Sequence, residues 1–465
     1  VNGRLELGYP SVGALLSFDP EGALQPGCTG TLVGCRTFVT AAHCVCGTEA
    51  TACDAAGRGP DPKGFRVLLP HAGLFELAAI RVHPRFDLTA GKGDIATVEL
   101  ARPVDGIAPM PINRNGRPLV GRTGTIVGFG QTIGAVHDAG VKRVGSVVTS
   151  ACPKSPATLV CWDFREPLGE PGENSNTCKG DSGGPLLIDF GCGPTLAGVT
   201  SSGERDGDCN APETSWDTDV HVYRRFLERV AGGDLDRATC GDLPPAGGRD
   251  APISGFTASI SAGRSQTSHF TVPSGTRRLR VALNGERGPF PEAPLALALA
   301  VRPDGSRPSL VCRDGGGSPF AFCDIADPAP GTWLATVEAK RGRGTYQLTT
   351  TLFAATQEGE PAAEERACEV VTPQACRATA GTCSRGLCSG TPVADGTACS
   401  LPDACNTEST CTAGACVQHP LPDGRPCDDD TRCTAEDRCV AGRCVDRSPR
   451  AMAPLASRSS PSRLG

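Results

Sequence analysis

The run Cys178-Lys179-Gly180-Asp181-Ser182-Gly183-Gly184-Pro185 constrains this chain more than any other stretch. Glycines on both sides of Ser182 let the backbone turn tightly and bring two N–H groups towards one point, and the small neighbours leave the hydroxyl uncrowded. That suits a nucleophile whose tetrahedral intermediate needs an oxyanion hole, although a glycine-rich turn alone would read the same way. Two upstream segments decide the matter. Thr40-Ala41-Ala42-His43-Cys44 and Gly93-Asp94-Ile95-Ala96-Thr97-Val98-Glu99-Leu100 supply a histidine and an aspartate, in the chain order His, Asp, Ser of one triad class.

The chemistry assigns roles to these three. A serine hydroxyl is a poor nucleophile at neutral pH and needs a base beside it. His43, with an ordinary pKa of about 6.5, can take the Ser182 proton and return it to a leaving amine. Asp94 would hold the imidazole in one tautomer and stabilise the imidazolium. The backbone N–H groups of Gly180 and Ser182 would form the oxyanion hole. His71, His83, His137, His221, His269 and His419 lack the Cys-flanked strand-end setting of His43 and read as surface or structural residues.

Residues 1 to about 235 resemble the secreted trypsin/chymotrypsin-like serine endopeptidases. Besides the three segments above, the resemblance rests on Cys28-Thr29-Gly30-Thr31-Leu32, His83-Pro84, Gly128-Phe129-Gly130 and Leu196-Ala197-Gly198-Val199-Thr200-Ser201. It implies disulfides Cys28–Cys44, Cys152–Cys161 and Cys178–Cys209, and an activation pair between the Val1 amine and Asp181. It places Asn176 and Thr177 at the floor of the substrate pocket, and Ser201 and Gly203 along the substrate strand. Trypsins carry an aspartate where Asn176 stands, so a neutral floor argues against strong Lys/Arg selectivity, since a buried unpaired cation is costly. Glu213 or Asp217 remain able to enter the pocket. Ser202 stands where the family has an aromatic. Cys35, Cys46, Cys53, Cys192 and Cys240 are left over, with Cys35–Cys46 as one pairing for them.

The expected fold class is all-β: two antiparallel barrels of the trypsin type closed by a C-terminal helix, then a small β-sandwich, then disulfide-rich repeats. Val220, Tyr223, Phe226, Leu227 and Val230 fall at helical spacing and mark the helix. Residues 236–252 read as a Pro/Gly linker. Residues 253–355 alternate with period two between turns, as in Leu279, Val281 and Leu283, with Cys312 and Cys323 expected to close a disulfide. The stretch from Asp327 to Leu348 resembles the bacterial pre-peptidase C-terminal domain, which implies an accessory sandwich without catalytic residues. Residues 356–367 are a second linker.

Residues 368–446 form a repeat array: Cys399, Cys405, Cys411 and Cys416 recur 28 residues later as Cys427, Cys433, Cys439 and Cys444. Cys368, Cys376, Cys383 and Cys388 form a degenerate first copy. Such units bury too little apolar surface to hold a core, so disulfides replace it; zinc is a weaker reading, because the paired short spacings of zinc sites are missing. The array resembles cysteine-rich repeats of secreted myxobacterial proteins. Residues 447–465 read as a disordered tail.

The 25 cysteines point to an oxidising, extracellular or cell-surface setting, and their odd number leaves one free or paired with another molecule. A net charge of -6 is mild and gives no reason to expect nucleic acid. No apolar run is long enough to span a bilayer, and the absence of an initiator Met or signal peptide reads as a processed chain or fragment. The expected partners are protein or peptide substrates of a monomeric enzyme without cofactor or metal. A catalytically silent or adhesive binding protein on the same fold is the rival reading.

Overall fold

The computed structural model describes residues 1–47, 52–153, 157–204, 209–288, 293–305, 311–354, 367–369, 376–400, 405–407, 409–427, 434–435, 438–445 and 448–449. Residues 1–364, with 384–387, form one compact unit; 365–383 with 388–465 form another.

The first unit opens with a closed antiparallel barrel of Val12–Phe18, Leu24–Leu32, Thr37–Thr40, Phe65–Leu69, Gly73–Val82 and Ala96–Leu100. In Gly73–Val82 buried and exposed residues alternate, the pattern of a strand with one face on a core. Its interior is filled by Leu15, Leu32, Phe38, Val67, Phe75, Ile80 and Val98. A second six-stranded ring follows, from Thr123–Gly128, Arg143–Ser150, Leu159–Phe164, Pro185–Asp189, Pro194–Gly203 and Glu213–Asp219. Arg4–Leu5 adds to its rim beside Arg143–Ser150. One core cluster spans both barrels, from Val12 and Leu16 to Val127, Leu187 and Val199.

The helix runs Val220–Ala231. The Asp219 side chain caps it by accepting from the N–H groups of His221 and Val222. Val220, Tyr223, Phe226 and Leu227 are buried, whereas Val230 lies outside the apolar face and is exposed.

The linker expected over 236–252 is packed rather than free. Cys240 is joined to Cys35 across 205 residues, and Ala246 and Ala251 bury against Phe353. Composition misled here because prolines and glycines also build tight turns. The sandwich has sheets in the orders Ile253–Ser261, Arg343–Ala354, Thr276–Gly285, Phe320–Ala326 and Ser265–Val272, Gly331–Arg341, Ala296–Pro303, Cys312–Gly315. Leu279, Val281, Leu283, Leu297, Leu299, Trp333 and Tyr346 form its core, and Cys312 and Cys323 are joined.

The sandwich packs directly on the barrels. Arg280, almost fully buried, donates to the carbonyls of His71 and Asp105. His71 is enclosed between the Leu7 carbonyl and the Thr351 hydroxyl, and burial pushes its pKa down to about 3, so it is neutral at any ordinary pH. Lys142 is buried too. Its ammonium donates to the carbonyls of Gly8 and Tyr9, and burial lowers its pKa to about 7.

In the second unit the disulfides follow a rule. Cys399–Cys416 and Cys427–Cys444 close single repeats, while Cys376–Cys411 and Cys405–Cys439 join the second cysteine of one copy to the third of the next. Cys368–Cys388 closes the first copy. Every described cysteine of the chain is disulfide-bonded; Cys433 lies outside the described residues, as do most of 356–367 and nearly all of the tail from 447.

Phe353→Ala should cost about 3–5 kcal/mol, since it empties the contact that seats 246–251 on the sandwich. A denaturant midpoint unchanged from the parent would show that this packing is not needed.

Candidate active site

Strand pairing brings the first two candidates together. Thr40 pairs with Ala96, so His43, just past the end of one strand, meets Asp94, just before its neighbour. His43 starts the short helix His43–Cys46, and the Cys28–Cys44 disulfide ties that helix to the adjacent strand Leu24–Leu32. Gly93 holds φ at 63°, and a Cβ there would lie 2.8 Å from the Arg85 carbonyl. Its N–H donates to the Tyr223 hydroxyl at 2.8 Å, so the closing helix fixes the turn that carries Asp94. His83 is structural, edge-on to Tyr223 and Phe226.

Asp94 is only 1% exposed, and its oxygens are all engaged. Oδ1 accepts the His43 backbone N–H at 2.9 Å, and Oδ2 pairs with His43 Nδ1 at 2.8 Å. The second barrel adds the Ser201 hydroxyl on Oδ2 at 2.7 Å and the Thr218 hydroxyl on the Asp94 carbonyl at 2.9 Å. Such enclosure gives both buried carboxylate oxygens hydrogen-bond partners. Burial disfavours a charged His43, but the charge of Asp94 and its hydrogen bond outweigh that, and the imidazole pKa rises above 6.5.

Ser182 lies across a cavity of about 270 Å³ that His43 also lines. Among the described residues no hydrogen bond joins the Ser182 hydroxyl to His43; before substrate binds, such contacts are commonly long. Gly180 and Gly183 take positive φ, 94° and 81°. The Gly180 carbonyl is turned away to accept the Thr29 hydroxyl at 2.8 Å. Among the described residues, the N–H groups of Gly180 and Ser182 have no acceptor in the chain.

Of Asn176, Thr177, Ser201 and Gly203, the last three line the cavity beside Ser182 and Asn176 does not. Asn176 is buried and held by its neighbours: its Nδ2 donates to Glu213 Oε2 at 2.8 Å, and its Oδ1 accepts from Trp162 Nε1 and Ser215 Oγ. The cavity wall is made instead by Thr177, Gly203, Ser215 and Glu213, so a carboxylate lines it. A Cβ at Gly203 would lie 2.3 Å from Glu213 Oε1, so any larger residue there would have to displace the Glu213 carboxylate. Ser201 lines the cavity as well, with its hydroxyl given to Asp94. Asp217 is fully buried beside Gly198 and away from the pocket, and burial raises its pKa well above the usual carboxylate range.

Val1 and Asp181 do not form an ion pair. The Val1 amine donates to the Asn176 carbonyl at 2.6 Å, and the Asp181 carboxylate accepts the N–H groups of Gly130 and Cys178. Burial penalises both charges, lowering the amine's pKa and raising that of Asp181, though the two still attract. Disulfides Cys152–Cys161 and Cys178–Cys209 flank this region. The pairing Cys35–Cys46 is replaced by Cys35–Cys240 and Cys46–Cys53, because Cys46 closes its own short loop and Cys35 faces the segment after the helix.

The family model described as Trypsin matches residues 12–227. The protein C activator of Agkistrodon contortrix contortrix is 30% identical over 235 residues, 46% of this chain and 89% of that protein. This chain belongs to the trypsin family. Serine protease 56 of Mus musculus is 30% identical over 239 residues, 47% of this chain, and the match spans only 37% of that longer protein. The trypsin of Saccharopolyspora erythraea is 28% identical over 207 residues, 42% of this chain and 82% of that protein. All three matches leave about half of the chain uncovered.

Sequence reasoning singled out the segments of His43, Asp94 and Ser182 but not Thr29, Thr218 and Tyr223, whose hydroxyls hold those segments. A lone Thr or Tyr in a strand or helix carries no signal of that kind.

The raised His43 pKa predicts the acid limb of peptide hydrolysis. The base must be neutral, so kcat/KM should fall as pH drops, with a midpoint above 6.5. A rate flat down to pH 4 would remove His43 as the base.

Proposed function

We propose that this chain is a serine endopeptidase working through an acyl-enzyme on Ser182. The observation that carries this reading is the buried Asp94 gripping His43 at 2.8 Å, with Ser182 on the same cavity. Ser182 Oγ attacks the scissile carbonyl carbon while its proton passes to His43. The carbonyl oxygen becomes an oxyanion, received by the N–H groups of Gly180 and Ser182, and one such donor is typically worth about 3 kcal/mol in the transition state. Collapse expels the amine, which leaves with the proton held on His43. Water, deprotonated by the same imidazole, then releases the acyl group and restores Ser182.

The substrate class follows from the pocket. Glu213 offers a carboxylate to the side chain that precedes the scissile bond, which supports a preference for Lys or Arg there. The disulfide density supports an extracellular, oxidising setting. Among the described residues no helix is long and apolar enough to cross a membrane. The two-sheet packing of 253–354 supports an accessory domain of the pre-peptidase C-terminal type. The cross-linked repeats support an array like those of secreted myxobacterial proteins.

A fluorophosphonate probe should label the folded chain at one serine, with labelling abolished by Ser182→Ala; an unlabelled parent would favour a silent binding protein. On a peptide library, Glu213→Gln should lower the ratio of cleavage after Lys/Arg to cleavage after Phe/Leu by about tenfold or more. An unchanged ratio would return specificity to other pocket residues.

A further inference from the structure

The segment Ala139–Arg143 has the turn that carries Gly180 and Ser182 on one side and the sandwich on the other. On the catalytic side, the Ala139 methyl lies 3.5 Å from where a Cβ on Gly180 would sit. The Gly140 N–H donates to the Phe129 carbonyl at 2.7 Å, and Arg143 Nη1 donates to the Gly130 carbonyl at 3.2 Å. Gly130 in turn donates to Asp181 Oδ1 at 2.8 Å, and Gln131 donates to the Lys179 carbonyl at 2.9 Å. Residues 129–131 and 139–143 therefore form the wall against which 179–181 is laid.

On the far side the same five residues are held by sandwich atoms. Asn284 Nδ2 donates to the Gly140 carbonyl at 2.9 Å, and the Arg287 N–H donates to the Ala139 carbonyl at 3.1 Å. Gln347 Oε1 accepts the Lys142 N–H at 2.8 Å, while Gln347 Nε2 donates to the carbonyls of Lys142 and Glu6. Asn284 also donates to Gln347 Oε1, which locks the two amides together. Glu286 faces Arg143 at 3.4 Å. Asn284 and Gln347 are both 1% exposed, and a Cβ at Gly140 would lie 2.1 Å from the Gly285 carbonyl, so the fit leaves no slack.

We propose that Asn284 and Gln347 of the sandwich are positioning residues for the oxyanion hole, so that the sandwich is a built-in brace of the catalytic unit rather than a detachable accessory. Buried amides that satisfy main-chain groups fix a segment because leaving those groups unpaired is costly. Release of 139–143 loosens the wall under Gly180 and lets its N–H drift from the place where the oxyanion forms. The proposal rests on the endopeptidase reading above.

The test compares the full chain with Asn284→Ala, Gln347→Ala and the double variant, and with Val301→Ala, which thins the sandwich core away from the barrels. Active sites are counted by the endpoint of fluorophosphonate labelling, and acylation by a peptide ester is measured per counted site, well below each variant's Tm. The brace predicts acylation per site at least tenfold slower in the double variant, an intermediate loss in each single variant, and Val301→Ala within twofold of the parent. If the double variant does not fold, the single variants carry the same comparison. Folded Asn284 and Gln347 variants acylating at the parent rate would overturn the proposal. So would an equal loss in Val301→Ala, which would reduce the effect to general stability. A parent chain that neither labels nor acylates would overturn the endopeptidase reading first, and the brace with it.

Discussion

A carboxylate buried between two barrels is the constraint on which the rest of this structure depends. Asp94 is tolerated in the interior only because donors from separate parts of the fold converge on it: His43 from the first barrel, and the Ser201 hydroxyl from the second. Thr218 holds its carbonyl, and Tyr223 of the closing helix holds the turn before it. Neither barrel alone could satisfy this group. The inter-barrel core that includes Val12, Val127, Val199 and Leu227 is what keeps those donors in reach, so the packing and the chemistry stand on the same contacts.

The segments around His43, Asp94 and Ser182 were legible because nucleophilic catalysis needs particular residue types, and the glycines beside Ser182 are needed for its backbone. The strands, the helix and the sandwich were legible from period-two and helical patterning, and the closure of the strands into two barrels only from the family resemblance. Three things were not. The sequence left Glu213 and Asp217 as equal candidates to enter the cavity beside Ser182, and only the three-dimensional packing shows that Glu213 lines it and Asp217 does not. The packing of 236–252 was hidden because turn-forming residues look the same in a tether and in a folded corner. The Val1 amine reaches the Asn176 carbonyl and not Asp181, a difference of one hydrogen-bond partner that motif matching cannot resolve.

The two units are held by different physics. In the first, apolar cores do most of the work, and disulfides close local loops or, as with Cys35–Cys240, tie the chain's middle to its start. In the repeat unit short strands bury little, and the alternation of intra-repeat and inter-repeat disulfides replaces a core. The same order of cysteines in each copy, rather than identical spacing, is what lets one cross-linking rule extend to the degenerate first copy. Between these extremes the sandwich has its own core, yet it spends buried polar groups such as Asn284, Gln347 and Arg280 on the barrels.

The most direct test of the central claim is the stoichiometry and address of the covalent intermediate. Excess p-nitrophenyl ester mixed with the folded chain at low pH, where deacylation is slow, should leave one acyl group per chain, mapped by peptide mass spectrometry to Ser182 and absent from His43→Ala. Acyl groups scattered over surface lysines and tyrosines, or equally present on Ser182 without His43, would contradict an account in which Asp94, His43 and Ser182 act as one site.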